Sequence, residues 1–144
     1  MNLYGAAPAA LRERLDAIGA RGTAVLVLAE SPSGQDEASR QAWQVLELLA
    51  GWRAAEAMPA RLAILDLGAD DDLSRVRSAL VDTAVRYVTG ALFHGGPAVN
   101  LVRPVDATAL TAAFDTVVAL ASGLMDAVRG QVLVVHGPKQ VEHP

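Results

Sequence analysis

Four short apolar runs that fail to alternate with polar residues set the frame for this chain of 144 residues. They are Thr23–Ala29 (TAVLVLA), Leu62–Leu67 (LAILDL), Ala98–Val102 (AVNLV) and Gln131–His136 (QVLVVH), each bounded by glycine, proline or serine. A strand with one wet face alternates apolar and polar residues. A run that is apolar throughout suits a strand buried on both faces of a parallel sheet. Between the runs lie helical patterns at Pro8–Ile18, Asp36–Met58, Leu73–Phe93 and Asp106–Ser122. Pro8 fits the first turn of its helix, and Ser33 or Asp36 fits an N-cap. The Asp70-Asp71-Asp72 run favours a helix N-terminus, and Gly123 marks a helix end. Strands alternating with helices of these lengths predict an α/β domain. About four parallel strands should run in sequence order, joined by right-handed crossovers and flanked by helices. No repeat or linker divides the chain, so residues 1–144 are read as one domain.

Composition removes several classes of function. The net charge of −4 comes without a basic patch, which argues against nucleic acid and anionic membrane surfaces as partners. With no cysteine there is no disulfide, thiolate metal site or cysteine nucleophile. No apolar run approaches the ~18 residues needed to span a bilayer. The N-terminus lacks a basic region followed by an apolar stretch. The expectation is a soluble, cytoplasmic protein.

The two long helices are apolar on more than one side. Trp43 and Trp52 are nine positions apart, which at about 100° per residue turns them to nearly opposite directions. Leu46 and Leu49 fill one side of that helix, while Leu48 and Ala55 help fill the other. Leu73–Phe93 carries one stripe of Val76, Leu80, Ala84 and Tyr87 and a neighbouring one of Val81, Val85, Val88 and Leu92. A helix apolar all round is buried all round, yet the sheet can cover only one face. Burial of the remainder against a second subunit is therefore expected. The interface candidates are Trp43, Leu46, Trp52, Val81, Val85, Val88 and His136.

Several segments resemble those of the short-chain dehydrogenase/reductase family, in the family's order. Ala98-Val99-Asn100-Leu101-Val102-Arg103-Pro104 resembles its Val-Asn-x-Val-x-Pro-Gly stretch. Gly130-Gln131-Val132-Leu133-Val134-Val135-His136-Gly137 resembles its closing Gly-Gln-x-x-x-Val-Asp-Gly-Gly strand. Gly22–Ala29, Ala42–Leu46, Arg61–Leu67 and Ser78–Arg86 resemble the strands and helices between, though less specifically. The resemblance spans about three quarters of the chain and covers only the family's second half. It implies a partial Rossmann-like sheet. It also implies that the helices Asp36–Met58 and Leu73–Phe93 correspond to the pair through which family members dimerise.

The same resemblance implies a missing catalytic centre. The family uses a Tyr-x-x-x-Lys pair, in which the lysine lowers the tyrosine pKa so that a proton can move near neutral pH. Here the only lysine is Lys139, and neither Tyr4 nor Tyr87 has a lysine four residues later. Aligned on the family, the tyrosine falls at Leu73 and the lysine at Arg77. The serine falls near Asp66 or Leu67 and the asparagine near Ala50. The glycine motif that cradles the dinucleotide pyrophosphate has no counterpart, because no Gly-x-Gly occurs. No catalytic, cofactor-binding or metal-binding residue is therefore expected in this chain. Losing the first half should leave an apolar sheet face and an open edge beside Thr23–Ala29.

Other clusters read as structure. Three aspartates before a helix suit capping better than a metal. His94-Gly95-Gly96 lacks the nucleophile turn of an esterase, and His136 and His143 lack metal-ligand spacing. Asn100 should bond neighbouring backbone, and Arg77 and Arg103 should be solvated. The function expected is that of a non-catalytic subunit paired with a full-length short-chain reductase, possibly a β-ketoacyl reductase. NADP or NAD would then be bound by the partner. The alternative is a self-associating protein that binds or regulates through the same scaffold. A cryptic enzyme using Asp66, Arg77 or His94 is a third reading.

Overall fold

The computed structural model describes residues 2–19, 21–28, 31–90 and 97–138. Its elements run β1 (Asn2–Tyr4), α1 (Ala9–Ile18), β2 (Thr23–Leu28), α2 (Gln35–Ala54), β3 (Arg61–Asp66), α3 (Asp72–Gly90), β4 (Ala98–Pro104), α4 (Leu110–Ser122) and β5 (Val132–Val135). A single 3-10 turn, Ala107–Ala109, leads into α4. The five strands form one parallel sheet in the order β1-β2-β3-β4-β5. The chain thus has an α/β, Rossmann-like architecture with a parallel sheet between helices, as the unbroken apolar runs predict.

The strand expected to be an open edge is not one. Asn2, Leu3 and Tyr4 pair with Ala24, Val25 and Leu26, so β1 covers that side of β2. Three residues ending at a glycine carry no periodicity, and the sequence gives no sign of them. Gly5 makes the exit from β1 feasible. Its φ is +87°, and a Cβ there would lie 2.3 Å from the Val27 carbonyl oxygen.

Helices cover both faces of β2, β3 and most of β4. β5, expected to be buried on both sides, leaves Val132 and Val134 exposed on the face that carries α2 and α3, because those helices do not reach the edge strand. Even-numbered residues of β2 and β3 (Ala24, Leu26, Leu28, Leu62, Ile64) meet Ala42, Val45 and Leu49 of α2 and Val81 and Val85 of α3. Odd-numbered ones (Val25, Val27, Ala63, Leu65) meet Leu11 and Leu15 of α1 and Ala113, Phe114 and Val117 of α4. Strand residues alternate between two apolar clusters, which is why no alternation shows in the sequence. The expected bare face is therefore occupied by α1 and α4.

This arrangement corrects the expectation of uniformly right-handed crossovers. Each strand is followed, in the same direction across the sheet, by its neighbour in sequence. Crossovers stepping in one direction place their helices on one face if all share one hand. Here α2 and α3 lie on one face and α1 and α4 on the other. Two of the four crossovers are consequently of the opposite hand to the other two.

Helix boundaries shift for local reasons. α2 stops at Ala54, short of Met58, because Glu56 turns the chain at φ 53°. Its N-cap is Gly34, while Ser33 donates its hydroxyl proton to Glu37 at 2.5 Å. Gly123, at φ 88°, ends α4 as expected.

Candidate functional site

α2 and α3 lie side by side on the sheet, each with an inward and an outward apolar stripe. Ala38, Ala42, Val45 and Leu49 of α2 are buried, as are Val81 and Val85 of α3. On the far side the helices enclose an open groove of about 310 Å³. Its walls are Ser39, Ala42, Trp43 and Leu46 of α2 and Leu80, Thr83, Ala84 and Tyr87 of α3. Trp43 is 62% exposed and Tyr87 79% exposed, with Val76 and Leu80 open to solvent on the same helix face. Single exposed apolar residues are ordinary. Trp43, Leu46, Leu80 and Tyr87 along one groove, with Val76 beyond it on the same face of α3, make a patch of the kind that marks an interaction surface.

The sequence-predicted residues divide among three settings. Trp43 and Leu46 line the groove. Trp52, on the opposite side of α2, is half-buried and meets Tyr4 edge-on, with ring centroids 5.3 Å apart. Val81 and Val85 are corrected: they point into the sheet at 0% and 5% exposure, so they belong to the core and not to an outward surface. The neighbouring stripe of Val76, Leu80, Ala84 and Tyr87 takes that place. Val88 falls outside the described side chains. His136 is exposed just beyond β5, near Asp106, whose carboxyl is held below the usual carboxylate range. The main cause is the hydrogen bond from the Thr108 hydroxyl.

Arg77, expected to be solvated, is instead buried and decides between the two α3 stripes. It is the largest fully buried side chain, and its Nη2 donates to Asp66 Oδ1 at 2.8 Å. Its Nη1 donates to Gln41 Oε1 of α2 at 2.9 Å, and Asp66 Oδ1 also accepts from the Gly68 amide at 2.9 Å. The guanidinium therefore fixes which side of α3 faces the sheet and ties α3 to both β3 and α2. Asp66 Oδ2 is buried without a hydrogen-bond partner among the described residues. Asp66 and Arg77 thus form a closed, buried ion pair.

A second, smaller cleft of about 110 Å³ opens at the C-terminal ends of β3 and β4. There the chain leaves β3 toward α3 and leaves β4 toward α4, on opposite faces. Gly68, Ala69, Asp70, Ser74 and Arg75 form one wall, and Arg103, Pro104, Val105 and Val134 the other. The aspartate run at its rim acts on the helix. Asp71 accepts from the Ser74 amide at 2.7 Å, and Asp70 and Asp72 pair with Arg75. The hydrogen bond from Ser74 holds the Asp71 carboxyl below the usual carboxylate range. Among the described residues no three His, Cys, Asp or Glu side chains gather where they could hold a metal ion. Among the same residues no helix is long and apolar enough to cross a membrane. Asn100 bonds backbone as expected: it donates to the Val128 carbonyl at 2.9 Å and accepts from the Gln131 amide at 3.1 Å. His94, His143 and Lys139 lie outside the described residues.

Comparison with protein-family models, curated proteins and solved structures finds no match to this chain.

Proposed function

We propose that this chain is a non-catalytic assembly subunit whose working surface is the groove between α2 and α3. The observation that carries the reading is the exposed line of Trp43, Leu80 and Tyr87 along that groove. Aromatic side chains bring roughly 150–250 Å² each. Together Trp43 and Tyr87 would supply on the order of a third of the ~800 Å² per partner in a standard interface. The occupant is a protein presenting a similar helix pair. The resemblance to short-chain reductases nominates an active enzyme of that family, which would carry the NADP or NAD. A second copy of this chain is the other candidate.

Sedimentation velocity tests the surface. The wild-type chain, alone or co-expressed with a short-chain reductase encoded beside it, should sediment as a complex. Trp43→Glu would place an unpaired charge in the contact and should dissociate it. A Trp43→Glu variant that assembles as the wild type does would refute the proposal.

A further inference from the structure

We infer that the cleft at the C-terminal ends of β3 and β4 binds a small monocarboxylate, held between the guanidinium groups of Arg75 and Arg103. The site shares no residue with the α2–α3 groove and stands apart from the assembly reading. Arg103 carries the inference. Its side chain is half-buried, yet it makes no hydrogen bond or ion pair among the described residues. The arginines of the first turns of α3 differ, since Arg75 pairs with Asp70 and Asp72, and Arg77 is sealed against Asp66. In the sheet register Arg103 stands beside Val134, two residues on from the pair of Leu101 and Val132, so all four share one face. Toward the edge that face is bare, with Val132 and Val134 exposed at 37% and 44%. A guanidinium held against apolar surface is less screened than one in open water, so it attracts an anion more strongly.

The place of the cleft suits a ligand. β3 leads to α3 on one face and β4 leads to α4 on the other, so the two connections part and leave a crevice between them. Open α/β sheets take their ligands in crevices outside the carboxyl ends of the strands. The lining names the class of ligand. Among its charged side chains Arg75 and Arg103 are positive and Asp70 is negative, a balance that matches a single negative charge better than a phosphate dianion. A guanidinium meets both oxygens of a carboxylate through parallel N–H donors. Pro104, Val105 and Val134 give an apolar wall on which a short hydrocarbon chain can lie. The volume of about 110 Å³ has room for several water molecules, hence for a carboxylate and a few methylenes, and not for a cofactor.

The experiment is a titration of the full chain with sodium hexanoate, followed by the backbone amide signals in two-dimensional NMR. The signals of Gly68, Arg103 and Val134 should move together and saturate with a millimolar Kd. Hexanol, which has the same chain and no charge, should leave them in place, and inorganic phosphate should bind more weakly than hexanoate. Arg103→Met should weaken hexanoate by roughly tenfold or more, the loss of hydrogen bonds to a charged group. Arg103→Lys keeps the charge without the fork and should fall between that variant and the wild type. The same spectra show whether each variant is folded, and if Arg103→Met is not, Arg103→Lys decides. A wild type whose cleft signals do not respond to hexanoate at tens of millimolar overturns the inference. Binding of hexanoate that is as tight in Arg103→Lys as in the wild type overturns the role of Arg103. Hexanol or phosphate binding as tightly as hexanoate overturns the assignment to a monocarboxylate.

Discussion

The side chain that most shapes this domain is Arg77, a guanidinium sealed at 0% exposure between β3, α2 and α3. A buried ion pair is a poor source of net stability, because desolvation offsets its attraction, but an unpaired survivor is expensive. Arg77→Met should therefore cost about 3–5 kcal/mol by leaving Asp66 charged and unmatched. Adding Asp66→Leu should recover most of that loss in urea titrations. If the double variant is no more stable than Arg77→Met, the pair is not what holds this corner. A second ion pair should respond to acid. Arg61 Nε and Nη2 grip Asp126 at 2.7 and 2.9 Å, and this hydrogen bonding lowers the Asp126 pKa from its ordinary 3.8. A lowered folded-state pKa gives stability that is complete above the ordinary value and fades as pH falls through the folded one. Asp126→Asn should accordingly be less stable than the wild type at neutral pH. The gap should close as pH falls through the lowered folded-state pKa of Asp126, and a gap that persists once that carboxyl is protonated would contradict the sign.

Among the elements, α2 and α3 show how far the sequence could be read. Both were recognisable as apolar on two sides, and the nine-residue spacing of Trp43 and Trp52 predicted their opposite directions. Which α3 stripe turned inward was not legible from periodicity. Val81 and Val85 differ from Leu80 and Ala84 by a single step around the helix, and the deciding contact is Arg77 with Asp66, eleven residues away. Hydrophobic patterns give an angle, and a long-range ion pair chooses its zero. β1 was missed for another reason: three residues carry too little pattern, and their place comes from pairing with β2. The two tryptophans yield a paired test. Trp43→Glu should leave the melting temperature of the monomer nearly unchanged. Trp52→Glu removes the ring that meets Tyr4 edge-on and should destabilise the domain by about 3 kcal/mol or more. Equal losses of stability in the two variants would contradict the placement of Trp43 outside the core.

For the molecule as a whole, strand order bears on ligand binding. In doubly wound sheets a dinucleotide sits where the strand order reverses, over a glycine-rich turn. The described sheet never reverses its order, and the sequence has no Gly-x-Gly. At the C-terminal strand ends, where such a cofactor would sit, the cleft between β3 and β4 is about 110 Å³, below the ~300 Å³ at which small-molecule pockets begin. Titration calorimetry of this chain with millimolar NADH or NADPH should show no binding heat, and a micromolar dissociation constant would refute that expectation. The same order has a consequence for synthesis. Every strand pairs only with the strands made just before and just after it. As the chain leaves the ribosome, each new βα unit meets an edge that is already in place, and none waits for a partner still to be made. The sheet can grow in one direction, like courses laid on a wall, with β5 as the last course.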